Sequence, residues 1–434
     1  MRAFARRAIA ITAASLVTAS LAVTAMPSAA EAHGKKPYVK VGYFTQWGIY
    51  GRAFPVSKLQ TSGAASRLTH INYAFSDVTS AGVCASADPW ADWQTSFTAE
   101  NSVDGVADVA GQPIAGNLNQ LAELKKANPK LRVLISLGGW TLSKYFSDAV
   151  ATPEARTKLV DSCIDLWLKG NLPGLTPGVA AGIFDGIDLD WEWPGSEGNA
   201  GNIIRPEDKQ NFTALLREFR SKIDKLGKQT KHRYELTAFL PAAPAKITAG
   251  FEAKQIFKYL DFGTVQGYDF HGSWELRANQ QSAIRVPKGA PDNPDFSIEN
   301  TIDTWIGEGA PRDQLVLGIP YYGQGWTGVT GGLFGTATGP APGVFAAGTE
   351  DWKTLKTLPA QGYQVVRDWR AGHTYLYDGT TFWTYDDPAQ ILQKTAYIRT
   401  EGLGGAMVWS LDGDDENASL TRTISAGLWS PWRR

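Results

Sequence analysis

Asp188, Asp190 and Glu192 occupy alternate positions in the run Asp185-Gly186-Ile187-Asp188-Leu189-Asp190-Trp191-Glu192-Trp193-Pro194. Strand side chains alternate between faces, so the three carboxylates share one face at steps of about 6–7 Å. Ile187, Leu189 and Trp191 take the other, apolar face. Carboxylates stacked this closely repel each other strongly unless they share protons or partners. No fold needs that for stability. The arrangement suits a proton donor at Glu192, whose pKa neighbouring carboxylates and Trp rings can raise. A solvated edge strand is a poorer account, because the opposite face is fully apolar. A carboxylate-only Ca²⁺ or Mg²⁺ site needs more oxygen ligands than the neighbouring residues supply.

The carboxylates need a scaffold, and the chain supplies a regular one. Short β-branched or aromatic runs predict strands at 38–44, 70–75, 132–137, 186–191, 234–240, 262–268, 315–321 and 404–409. Helical patterns fall between them at 118–127, 153–169, 206–226, 253–259, 298–307 and 388–400. Thr152 before Pro153, and Glu207 and Asp208 after Pro206, mark helix starts. Such alternation closes as a (β/α)8 barrel, an α/β fold whose sites lie at the C-terminal strand ends, where Glu192 falls. A doubly wound sheet is the competitor, but no GxGxxG follows the first strand.

Two connections are too long for plain loops. Residues 76–116 are polar and Gly/Asp-rich and should wall the barrel mouth. Residues 322–385 carry strand patterns at 364–369, 374–377 and 380–385, the last two joined at Asp378-Gly379, which reads as a type I′ turn. This predicts a small α+β insertion domain at 322–385. The absence of a Pro/Ser-rich linker, repeat or low-complexity tail argues against an appended carbohydrate-binding module.

Composition narrows the class further. The 434 residues are 43% hydrophobic and 20% charged, which excludes disordered and fibrous proteins. The 42 basic and 43 acidic side chains nearly balance, leaving no basic field for nucleic acid. Sixteen Trp, 15 Tyr and 18 Phe will mostly be core, yet the Trp surplus near Gly-rich segments also suits stacking on sugar rings. Arg2, Arg6 and Arg7 precede an Ala/Val/Leu/Thr stretch ending near Met26, and Ala30-Glu31-Ala32 offers a cleavage site. Residues 1–32 are therefore expected to be a signal peptide, leaving a secreted, extracellular chain at 33–434. An uncleaved membrane anchor is the alternative. No apolar run of membrane length follows, so no membrane association is expected after cleavage. Two cysteines make neither a disulfide framework nor a zinc site. Cys84 and Cys163 can pair in an oxidising compartment, with two free buried thiols as the alternative.

The run at 185–192 matches the DxxDxDxE signature of family 18 glycoside hydrolases, the chitinases, and the resemblance extends further. Ser136-Leu137-Gly138-Gly139-Trp140 resembles that family's SxGG motif. Gln266-Gly267-Tyr268-Asp269-Phe270 resembles its M-x-Y-D-[FY] motif, with Gln266 where many members have Met. Gly318-Ile319-Pro320-Tyr321-Tyr322-Gly323 resembles the strand-seven motif, followed by Gln324 where Arg is common. Gly405-Ala406-Met407-Val408-Trp409-Ser410 resembles strand eight, and the preceding insertion looks like the chitinase insertion domain.

The resemblance implies a cofactor-free, metal-free hydrolase of chitin and chito-oligosaccharides that retains configuration through substrate assistance. Glu192 would be the acid. Asp190 would hold the 2-acetamido N–H, and Asp188 would exchange a proton with Asp190, with Ser136 as a relay. Tyr268 would bond the acetamido oxygen, and Asp269 would contact the same sugar. Trp409 would floor the subsite of the cleaved sugar. Trp140 and Trp274 resemble acceptor-side stacking residues, and Trp47 could stack a donor-side sugar. Tyr43, Phe75, Gln266 and Met407 join the expected substrate-binding set. Asp185, out of phase with the others, is expected to be structural. Gly138 and Gly139 are expected to let backbones pack closely under the site. Trp191 should be core by alternation. The five His show no triad or metal pattern. A monomer is expected. An endo-β-N-acetylglucosaminidase of the same family is the nearest enzymatic alternative, and a silent chitin-binding lectin is the alternative from another class; retention of Glu192 argues against the lectin.

Overall fold

The computed structural model describes residues 37–291 and 296–429. The expected leader at 1–32 lies outside them. Eight strands follow in chain order: β1 (Val39–Thr45), β2 (His70–Val78), β3 (Arg132–Gly138), β4 (Gly186–Asp190), β5 (Glu235–Leu240), β6 (Phe262–Val265), β7 (Leu315–Pro320) and β8 (Gly405–Trp409). Each pairs in parallel with the next, and β8 returns to β1. The sheet closes. It is the (β/α)8 barrel expected from the alternation.

The helices between strands begin and end where local chemistry permits. In α1 (Pro153–Cys163) the Thr152 hydroxyl accepts from the Ala155 N–H over 3.2 Å, and Pro153 fills the first position. The predicted span to 169 is completed by a wider π turn at Ile164–Leu168. The longest helix, α2 (Asp208–Thr230), buries Phe212, Leu215, Leu216, Phe219, Ile223 and Leu226 along one stripe. Burying each such side chain contributes about 1.5–3 kcal/mol over leaving it in water. A short helix, α3 (Pro244–Gly250), follows β5 directly. Cys84 and Cys163 are joined in a disulfide that ties the short strand Cys84–Ser86, paired to β2, to the end of α1.

After β7 the chain passes through Tyr321 alone into a second, antiparallel sheet. Its order is Gly339–Pro340, Tyr322–Thr327, Phe382–Tyr385, His373–Tyr377 and Gln364–Asp368, with Thr349–Asp351 also on Tyr322–Thr327. Ala278, Trp326, Val329, Ala337 and Phe382 form a small core for it. The turn at Asp378-Gly379 is not type I′. That turn needs positive φ at both central residues, and here only Gly379 has it, at 105°. The Asp378 carboxylate holds the turn instead, accepting from the Thr380 and Thr381 N–H groups at 2.8 and 2.6 Å. The Tyr321 N–H donates to the Trp409 carbonyl at 2.8 Å and its hydroxyl meets that of Thr421 at 3.1 Å, so the junction is fastened to β8 and to the last helix.

Candidate active site

Parallel pairing sets Ser136 of β3 and Thr237 of β5 beside Asp188 on the inner face of the barrel. Asp188 is fully buried. It accepts from Tyr43 Oη at 2.7 Å, Ser136 Oγ at 2.8 Å and Thr237 Oγ1 at 2.5 Å. These are neutral donors, and burial pushes its carboxyl above the usual range while the hydroxyls pull the other way.

One layer up, Asp190 pairs in register with Gly138, so β3 places no side chain beside it. A Cβ on Gly138, whose φ is +103°, would lie 2.4 Å from the Asp190 carbonyl oxygen; one on Gly139 would strike the Phe75 ring at 2.7 Å. Both glycines are needed for close approach. Asp190 Oδ1 is buried without a hydrogen-bond partner. Burial, then the charges of Glu192 and Asp188, drive its carboxyl well upward.

Glu192 stands at the C-terminal end of the column. Ser143 Oγ accepts its N–H at 2.9 Å and Asn202 Nδ2 donates to its carbonyl at 2.8 Å, fixing the backbone of the last carboxylate. Burial raises its carboxyl to about 8; Lys246 opposes the rise and Asp269 adds to it. Two buried acids sit side by side, both protonated more readily than in water. That is proton-transfer equipment.

The column opens into a cleft of about 900 Å³. Tyr43, Phe75, Trp47 and Trp409 make one aromatic wall: Phe75 lies stacked 5.7 Å from Trp409, and Trp47 stands 6.0 Å from Phe75. Gln46 braces that wall from behind, accepting the Phe75 N–H at 2.8 Å and donating to buried Asp92 at 3.0 Å. Trp140 and Trp274 also line the cleft, exposed at 49% and 62% and thus able to meet a ligand face on. Tyr268 packs against Phe239, and Asp269, at φ 57°, accepts from Gln324 Nε2 at 2.9 Å. Non-proline cis peptides join Ala74 to Phe75, Glu192 to Trp193 and Trp409 to Ser410.

Of the residues singled out from sequence, Glu192, Asp190, Tyr268, Asp269, Gln266, Tyr43, Phe75, Trp47, Trp140, Trp274 and Trp409 line one cleft. Asp188, Ser136, Gly138 and Gly139 lie directly beneath or beside it. Met407 does not reach the cleft surface; it is fully buried, its sulfur 4.0 Å from Tyr268 Oη. Asp185 is at the opposite end of β4, where it accepts the Val133 N–H and pairs with Lys125, both at 2.8 Å. Trp191 is core, stacked 5.3 Å from Phe146. Sequence reasoning missed Thr237, Lys246, Phe239 and Glu275. Inward alternation along β5 would have found Thr237 and Phe239. Lys246 and Glu275 lie on connections, where alternation carries no signal. Among the described residues no group of His, Cys, Asp and Glu is arranged to hold a metal, and no helix is long and apolar enough to cross a membrane.

The model for glycosyl hydrolases family 18 matches residues 39–414. The chain belongs to that family. Chitinase 63 of Streptomyces plicatus is 40% identical to it over 398 residues, which are 90% of this chain and 60% of that protein. Chitinase A1 of Niallia circulans is 36% identical over 437 residues, 93% of this chain and again 60% of the relative. This family 18 chain thus spans about 60% of the length of these Streptomyces and Niallia relatives. The catalytic domain of the psychrophilic chitinase B from Arthrobacter TAD20 superposes with a TM-score of 0.87 at 45% identity, over 90% of this chain and 95% of that one.

Proposed function

We propose that this protein is a secreted chitinase that cleaves β-1,4-linked N-acetylglucosamine polymers by a substrate-assisted, retaining mechanism. The observation that carries the reading is Asp190 Oδ1, a buried acceptor without a donor, one layer beneath an acid held at about 8. A 2-acetamido N–H supplies the missing donor. Glu192 protonates the glycosidic oxygen as the bond to the anomeric carbon breaks. The acetamido carbonyl oxygen, oriented by Asp190 and Tyr268 Oη, attacks that carbon and forms an oxazolinium ion. Glu192, now ionised, takes a proton from water, which opens the ring at the same carbon. Two inversions restore the β configuration. Asp188, held by three hydroxyls, keeps a proton available to Asp190. Trp409 floors the cleaved sugar, Trp47 and Phe75 extend the donor side, and Trp140 and Trp274 serve the acceptor side.

Partly deacetylated chitosan tests the reading. New reducing ends should all be N-acetylglucosamine, and the fresh product should be the β-anomer by NMR. Glucosamine at those ends, or an initial α-anomer, would put an enzyme carboxylate or a direct water in the nucleophile's place. The same proposal includes loss of residues 1–32 on export and a monomeric chain at 33–434, with 322–385 as the insertion domain; N-terminal sequencing and sedimentation of the exported protein check both.

A further inference from the structure

Lys246 is the one Lys or Arg among the described residues lining the cleft, which also presents Asp190, Glu192, Asp269 and Glu275. It lies on α3 with its ammonium 5.5 Å from the centre of the Trp193 ring. It forms no ion pair within 4.0 Å among the described residues. Burial lowers its pKa, and Glu192 and Glu197 partly restore it. A half-buried cation whose contact is the Trp193 ring face, with no carboxylate paired to it, is costly. The packing around α3 does not require one, since Ile247 and Gly250 supply the buried face of that helix.

The substrate explains it. N-acetylglucosamine is neutral and offers no charge to Lys246, but a deacetylated unit carries an ammonium. With Asp190 and Glu192 holding their protons, the cleft offers that ammonium little negative charge to offset Lys246. Lys246 lies over the ring of Trp193, the residue after Glu192 at the outer end of the carboxylate column, whereas Asp190 lies one layer below, in register with Gly138. It therefore stands beyond Glu192 from the acetamide-holding residue, toward the leaving sugar. We propose that Lys246 is a specificity-determining residue that repels glucosamine from the acceptor-side sugar position next to Glu192. This rests on the substrate-assisted reading, which already demands an acetylated unit on the donor side.

The test digests chitosan of defined acetylation at mildly acidic pH with wild type, Lys246→Met, Lys246→Gln and Lys246→Arg, and identifies both new ends of each product by mass spectrometry. Wild type and Lys246→Arg should leave new non-reducing ends strongly enriched in N-acetylglucosamine. The Met and Gln variants should raise glucosamine there about tenfold, the scale of one charge pair at partial exposure. Unchanged non-reducing ends in a neutral variant that melts like wild type would overturn the proposal, even if its rate on fully acetylated oligomers fell. Failure of the mechanism itself would be read at the other end, as glucosamine at new reducing ends.

Discussion

Gln324 Nε2 donates to Asp269 Oδ1 over 2.9 Å, so the first strand of the second sheet holds a residue of the barrel cleft. Asp269 is half-buried, has its backbone at positive φ, and relies on few donors. Gln324→Leu should lower kcat/KM on chito-oligosaccharides about tenfold, the value of one hydrogen bond to a charged group. Steady-state kinetics beside an unchanged melting temperature would show the effect; wild-type kinetics would make the contact incidental.

Glu192→Gln keeps shape and stacking but removes the proton. Turnover should drop by about a thousandfold or more, while the Kd for a non-hydrolysed oligosaccharide stays near that of wild type. A variant keeping a tenth of wild-type turnover would remove Glu192 from the acid role.

The raised carboxyl has two consequences for pH. With Glu192 held at about 8, activity should be lost as pH climbs through that value. Its unfolded pKa is about 4.3, so the folded chain holds the proton more tightly. The stability this contributes is complete below the unfolded value and is lost as pH rises through about 8. Glu192→Gln cannot ionise, so it should melt with wild type in acid and above it in alkali. Coincident melting curves across the range would mean that the carboxyl is not held up.

The Cys84–Cys163 bond spans a sequence separation of 79. Closing a loop of that length stabilises by about 4 kcal/mol in the chain-entropy description. Reductant should lower the melting temperature by several degrees, and denatured, unreduced protein should titrate no free thiol. Two free thiols would leave Cys84 and Cys163 as unpaired core residues.

The carboxylate column was readable because one strand carries it, and period-two alternation alone sorts Asp188, Asp190 and Glu192 from Ile187, Leu189 and Trp191. Strand existence was readable for the same reason, less so strand ends: β6 stops pairing at Val265, although the apolar pattern runs on to Tyr268. Depth was not readable. Alternation says that a side chain points inward, and it does not say in which layer, so Met407 was placed on the wall rather than under Tyr268. Lys246 was hidden by distance: 54 positions and a change of element separate it from Glu192, and only the parallel pairing of β4 with β5 brings them together. The Asp378-Gly379 turn was misread in type because a dipeptide reports one positive φ as readily as two.

The single residue between β7 and the second sheet has a consequence for exchanging parts among relatives. Tyr321 is bonded to β8 and to the last helix, and the strand after it carries Tyr322 and Gln324 against Asp269. A chimera cut at Tyr322, the obvious seam in the fold, would import two foreign neighbours for Asp269 along with the new wall. The transplantable piece begins after Thr327. Everything before it travels with the barrel.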